Sequence, residues 1–218
     1  MQKAFKTKLE NTLKRCFEGS FEKGGGKEHR FFHGTRVAKF SELIARSEKL
    51  KVDYDTLFVA ALFHDIGKIK AVVESGEIDY KSEGNKNHHL VSEQMFLNVL
   101  GKNTLELLGK KFINKVVSII QETHVDLPTL LEVRVIQDAD ELDNFGYLQI
   151  WRTFTYDALA NMSFSDALEW WKIEGKASRS KILKSLWFET TKKIASSGLI
   201  RTDDFFEKLN KENLGMFD

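Results

Sequence analysis

Residues 56–68 read Thr56-Leu-Phe-Val-Ala-Ala-Leu-Phe-His64-Asp65-Ile-Gly67-Lys68, eight uncharged residues running straight into an adjacent histidine and aspartate. This run constrains the fold more than any other stretch. A helix over 56–66 puts Leu57, Ala60, Ala61 and His64 on one face. An ionisable pair at the end of so apolar a helix is costly to bury unless something neutralises it. A metal ion is the natural neutraliser, so the remainder of the chain is read for further ligands.

Composition bounds the answer. A length of 218 residues fits one domain, or one domain with an extension, and 42% hydrophobic with 30% charged residues suits a water-soluble core-forming chain. A net charge of +1, from 33 basic and 32 acidic residues, leaves no electrostatic footprint for nucleic acid or an anionic membrane. The one cysteine, Cys16, rules out an internal disulfide and fits a cytoplasmic location. It lies near Leu13 and Phe17 on the first expected helix and reads as a core residue. The N-terminal residues lack the apolar run of a secretory signal, and no segment approaches a membrane span.

The hydrophobic spacing predicts helices almost throughout. Phe5, Leu9, Leu13 and Phe17 form a stripe within residues 3–18, and Gly24-Gly25-Gly26 then reads as a flexible connection. His33, Val37, Phe40 and Ile44 mark a helix over 29–48, and Asp53 or Asp55 is placed to cap the next, which ends near Gly67. Residues 71–86 carry no period and read as a long loop. Helices follow over His88–Leu100, Lys110–His124 and Leu131–Leu142. Beyond Gly146 the pattern stays helical, with Ser163 and Thr202 as caps, Gly175 and Gly198 as terminators, and Tyr147, Trp151 and Phe154 as packing residues. No run alternates long enough for a substantial strand. The fold class expected is all-α.

Four of these stripes share an oddity: His33, His64, His124 and Asp138 each occupy a place on an otherwise apolar face. A single such histidine is commonly a satisfied core residue, but a buried aspartate needs a partner. Four on four helices point to a shared site of the kind that helical bundles build from inward-facing ligands. His29 is expected to be exposed, and Asp140 and Asp143 to be charges behind the ligands or at the helix end.

Three blocks, His33-Gly-Thr-Arg36-Val37, Ala-Ala-Leu-Phe-His64-Asp65-Ile-Gly67-Lys68 and Asp138-Ala-Asp-Glu-Leu-Asp143, resemble the HD-domain metal-dependent phosphohydrolase superfamily in order and spacing. The resemblance covers roughly residues 29–155, and it implies an HD-domain-like helical bundle followed by a helical extension over about 156–218. It assigns His33, His64, Asp65 and Asp138 as ligands of a first metal. Some branches hold a second metal with two further histidines, matched here by His88 (with His89 as the alternative) and His124, and bridged by Asp65. One or two divalent ions are implied, and manganese, iron, magnesium, zinc and nickel all remain open.

The implied chemistry is metal-activated hydroxide attack on phosphorus. Lowering the pKa of a water from about 15.7 towards about 7 is worth roughly 12 kcal/mol in forming hydroxide. Asp65 and Lys68 are the expected catalytic residues, with Lys68 and Arg36 meeting the phosphate of a small phosphorylated substrate, a nucleotide-type phosphomonoester or phosphodiester. Two rival readings stand beside this one: a di-iron oxygenase on the same fold, and a metal-containing nucleotide-binding module without turnover.

Overall fold

The computed structural model describes residues 1–216. Its centre is α3 (Tyr54–Phe63), in which every residue from Thr56 to Phe63 is buried. A helix that is apolar all round belongs in the middle of a bundle. Asp53 caps it, its carboxylate accepting the amides of Asp55 and Thr56. The helix stops at Phe63, earlier than the spacing predicts, and the chain continues as a 3-10 turn over Ile66–Ala71.

Five helices surround α3. They are α1 (Lys3–Cys16), α2 (His29–Ser47), α5 (His88–Leu108), α6 (Lys110–Glu122) and α7 (Leu131–Glu141). Helix α2 packs on α3 and α7, while α5 packs on α6 and on the 3-10 turn. Gly101 breaks α5 with a φ of 69°, so its regular part ends where the sequence places it, near Leu100. Leu57, Leu62, Phe63, Phe96, Ile119 and Ile120 sit at the middle of the shared core. Each such side chain contributes about 1.5–3 kcal/mol by leaving water.

Gly24-Gly25-Gly26 is a formed turn rather than a loose connection. It joins β1 (Phe21–Glu22) to β2 (Gly26–Lys27), an antiparallel pair with Phe21 opposite Lys27. Phe21 also bridges Glu77, which ties part of the 71–86 segment to the hairpin. That segment carries one short helix, α4 (Glu83–Lys86).

After a 3-10 turn at Leu142–Asn144 the chain continues as α8 (Gly146–Leu159), α9 (Phe164–Trp170), α10 (Lys176–Ser185) and α11 (Glu189–Asn213). A π turn over Trp171–Gly175 links α9 to α10, so Gly175 closes that turn instead of terminating a helix. Ser163 forms a full capping box with Asp166. These helices gather a second core around Ile150, Trp171 and Phe206, with Phe154 against it. Tyr147 and Trp151, expected to pack inside, are 71% and 61% exposed.

Gly198 and Thr202 depart from expectation together. Neither bounds a helix, for α11 runs through both. A side chain at Gly198 would come within 2.9 Å of Phe145 Cβ and 3.0 Å of the Gly146 nitrogen, and Thr202 donates to the Gly146 carbonyl. The glycine lets α11 lie against the start of α8. Gly198→Val is therefore expected to destabilise the chain by about 1–3 kcal/mol through overpacking, read as a lower urea midpoint with an unchanged slope.

Candidate metal centre

The end of α3 and the start of α2 bring the motif residues together. His33, His64 and Asp65 are all buried. The His33 and His64 rings lie 5.3 Å apart. In three histidines one ring nitrogen is already engaged with an oxygen that accepts. His33 Nδ1 faces Asp143 at 2.8 Å, His64 Nδ1 faces the Ala61 carbonyl at 2.8 Å, and His88 Nδ1 faces the Asn85 carbonyl. A proton on Nδ1 leaves the lone pair of a neutral ring on Nε2, the form that binds metals.

Those Nε2 atoms have no hydrogen-bond partner in His33, His64 and His88, and neither has Asp65 Oδ1. Four buried polar atoms without partners would each cost free energy if nothing met them. Ligand atoms of His33, His64 and Asp140 lie within 4.8 Å of one another, as do those of Asp65, His88 and His124. His88 Nε2 is 3.1 Å and His124 Nε2 3.8 Å from Asp65 Oδ1. These donors, imidazole and carboxylate, fit a divalent ion.

Asp138 is not part of this gathering. Its two carboxylate oxygens accept the backbone amides of Trp187 and Phe188, at 2.8 and 2.9 Å. Those amides belong to the entry of α11, which lacks a side-chain cap of its own. Burial pushes the Asp138 carboxyl pKa up despite these bonds. Asp140, two residues on, turns instead to the histidines, with Oδ1 3.1 Å from His33 Nε2 and 3.9 Å from His64 Nε2. Of the two aspartates, the structure therefore brings Asp140 to the histidines and leaves Asp138, the expected ligand, bonded to the entry of α11.

Asp65 gathers positive charge on its second oxygen. Arg30 Nη1 donates to Oδ2 at 2.8 Å and Lys68 Nζ at 2.7 Å. Burial opposes its charge, yet Lys68 and the surrounding groups hold its carboxyl well below the usual range. Lys68 therefore pairs with the motif aspartate, and Arg36 forms a fork on Asp143 at 2.8 and 2.6 Å. Burial also opposes the Asp143 charge, but Arg36 and His33 hold the carboxyl below its ordinary value. His89 stays outside the donor groups, its ring 5.9 Å from that of His88.

Gly67 sets His88 in place by bringing the 3-10 turn against the start of α5. A side chain there would come within 2.0 Å of the His88 carbonyl oxygen, and the Gly67 amide donates to Ser92 Oγ at 3.1 Å. The spacing made this glycine a helix stop; its role is close approach.

A second polar shell was not legible in the sequence. Arg30 also donates to Glu22, on the hairpin, through Nη2 at 2.8 Å and through Nε. Tyr80 donates to the same carboxylate. Glu22 is fully buried, and though burial raises its pKa, Arg30 and its neighbours draw it down to about 2. His29, expected at the surface, is 5% exposed and stacks on His33, with burial lowering its pKa to about 3. The three charges Glu22, Arg30 and Asp65 form one buried row, and removing the middle one leaves the others uncompensated. Arg30→Met is expected to cost about 3–5 kcal/mol in urea unfolding. Glu22→Gln in the same chain should recover part of that loss, because it removes the stranded charge.

Comparison with known proteins places this arrangement. No curated protein matches the chain. Among solved structures, an HD-superfamily hydrolase from Bacillus thuringiensis is similar at 20% identity and a TM-score of 0.65, over 97% of this chain and 98% of that one. The Lin1889 protein from Listeria innocua is similar at 25% identity and a TM-score of 0.59, over 98% and 99%. Bacillus subtilis YpgQ in complex with ADP is similar at 18% identity and a TM-score of 0.61, over 95% and 97%. The model of the HD domain matches residues 30–144, from the arginine beside His29 to the end of the turn after α7. The chain belongs to the HD domain family.

Proposed function

We propose that the chain is a metal-dependent hydrolase of a small phosphoester, with a nucleotide as the substrate class. One observation carries this reading. Four buried atoms without hydrogen-bond partners, on His33, His64, Asp65 and His88, fall in two neighbouring donor groups that Asp140 and His124 complete.

His33, His64, Asp65 and Asp140 would hold one ion; Asp65, His88 and His124 would hold a second, with Asp65 shared. When bound, a divalent ion supplies Lewis-acid activation of water and cancels charge on phosphoryl oxygens. The chain's own residues set the geometry. Asp143 orients the His33 ring, and Arg36 anchors Asp143, which makes Arg36 a positioning residue and not a phosphate contact. Lys68, with 15% of its side chain exposed beside Asp65, is the cation nearest the centre that a phosphate can reach. The ADP complex of the structurally similar YpgQ supports a nucleotide as the substrate class.

Two pairs of measurements test the reading. Elemental analysis of purified Asp140→Ala should show metal affinity reduced by more than the roughly 10–100-fold typical of an outer partner. Asp138→Ala should keep its metal and lose about 0.5–2 kcal/mol of stability, the usual range for a lost helix cap. Metal retained by Asp140→Ala and lost by Asp138→Ala would reverse the assignment. In a phosphate-release screen of nucleotides, Lys68→Met is expected to lower turnover by about 10²-fold with metal content unchanged. Iron-dependent consumption of dioxygen without phosphate release would overturn the hydrolase reading.

A further inference from the structure

Helix α8 starts beside the metal centre, because the turn before it carries Asp143. On the outer side of that start lies a cavity of about 430 Å³ between α8 and α10. Its chemistry is divided along its length.

At the end nearer the centre stand two arginines whose side-chain partners are all uncharged. Arg152 donates to the Gly24 carbonyl and to Asn144 Oδ1. Arg179 donates to the Asn144 carbonyl, to Gln149 Oε1 and to Ser178 Oγ. Among the described residues neither is in an ion pair with a carboxylate. Both bond Asn144, and Asn144 in turn donates to Glu141, the neighbour of Asp140. Two guanidinium groups converging on one cavity with only neutral acceptors make a site for an anion with several oxygens.

At the other end is Asp157, five residues along α8 from Arg152 and so about 7.5 Å further along the helix axis. It is 9% exposed and lines the cavity, and its Oδ2 is buried with no hydrogen-bond partner. A carboxylate accepts only, so it calls for an N–H donor. Tyr156, next to Asp157, and Trp170, whose ring lies 5.8 Å from the Arg179 guanidinium, supply aromatic wall.

We propose that this cavity binds the nucleotide: its phosphates on Arg152 and Arg179, pointing towards the metal centre, and its base between the aromatic side chains with a ring amine donating to Asp157. This rests on the hydrolase reading for the substrate class and adds the residues that select it. A ligand with an anion at one end, a flat ring, and an N–H at the far edge matches two guanidinium charges that have only neutral acceptors and the Asp157 oxygen that has no donor.

The test is calorimetric titration of the full-length protein with ADP and, as a probe without a base, pyrophosphate. Arg152→Gln and Arg179→Gln are each expected to weaken both ligands at least tenfold, and Arg152→Lys and Arg179→Lys by less. Asp157→Asn should weaken ADP severalfold without weakening pyrophosphate. Melting temperatures show that each variant is folded, and the lysine variants serve if a glutamine variant is not. ADP bound as tightly by the arginine variants as by the parent would overturn the proposal, as would an Asp157 variant that weakens both ligands equally. The two readings fail differently. Nucleotide hydrolysis with arginine-independent ADP binding sinks the cavity assignment alone. Arginine-dependent ADP binding in a protein that neither holds metal nor releases phosphate sinks the hydrolase reading alone.

Discussion

The carboxylate of Asp65 is the contact on which the rest of the centre depends. Its Oδ2 accepts from Arg30 and Lys68, and its Oδ1 is turned towards His88 and His124. A buried carboxylate that faces cations on one side and imidazole nitrogens on the other is locked in rotation. It therefore fixes the spacing between the two donor groups. The cost of burying it is met by neighbours from three different parts of the chain, which ties α2, the 3-10 turn and α5 to a single charge.

That arrangement explains why the outer parts of the fold are ordered as they are. The hairpin would be marginal alone, since two residues per strand cannot hold it. Glu22 gives it a buried anchor, and Tyr80 ties the 71–86 segment to the same point. Charge alternates outward from the centre: Asp65, Arg30, Glu22, with Tyr80 closing the row. Each member needs the next, so the polar interior is satisfied as a network or not at all.

Much of this was legible from the sequence, and the misses have physical causes. His33, His64 and His124 announced themselves as ionisable residues on apolar stripes, and the His64-Asp65 pair by the run before it. The same logic chose Asp138, which is indeed on the buried face of α7 and 1% exposed. Burial did not bring it to the histidines, because its partners are amides 49 and 50 residues away that periodicity cannot reveal. Asp140, off the stripe, is the one that lies 3.1 Å from His33 Nε2. Glu22, His29 and Arg30 sit in or beside a glycine-rich turn with no apolar period, so nothing local marks them as interior. Gly198 and Thr202 looked like helix boundaries because those residue types often are; close packing of α11 on α8 uses the same properties for another end.

The bond between Asp138 and the start of α11 has a consequence for the order in which the molecule is made. Asp138 leaves the ribosome about fifty residues before the amides it accepts. Until they follow, Asp138 is a carboxylate on the buried face of α7 without its donors. Burying such a charge without hydrogen bonds is costly, so the last helices complete the interior of α7 instead of being laid onto a finished core.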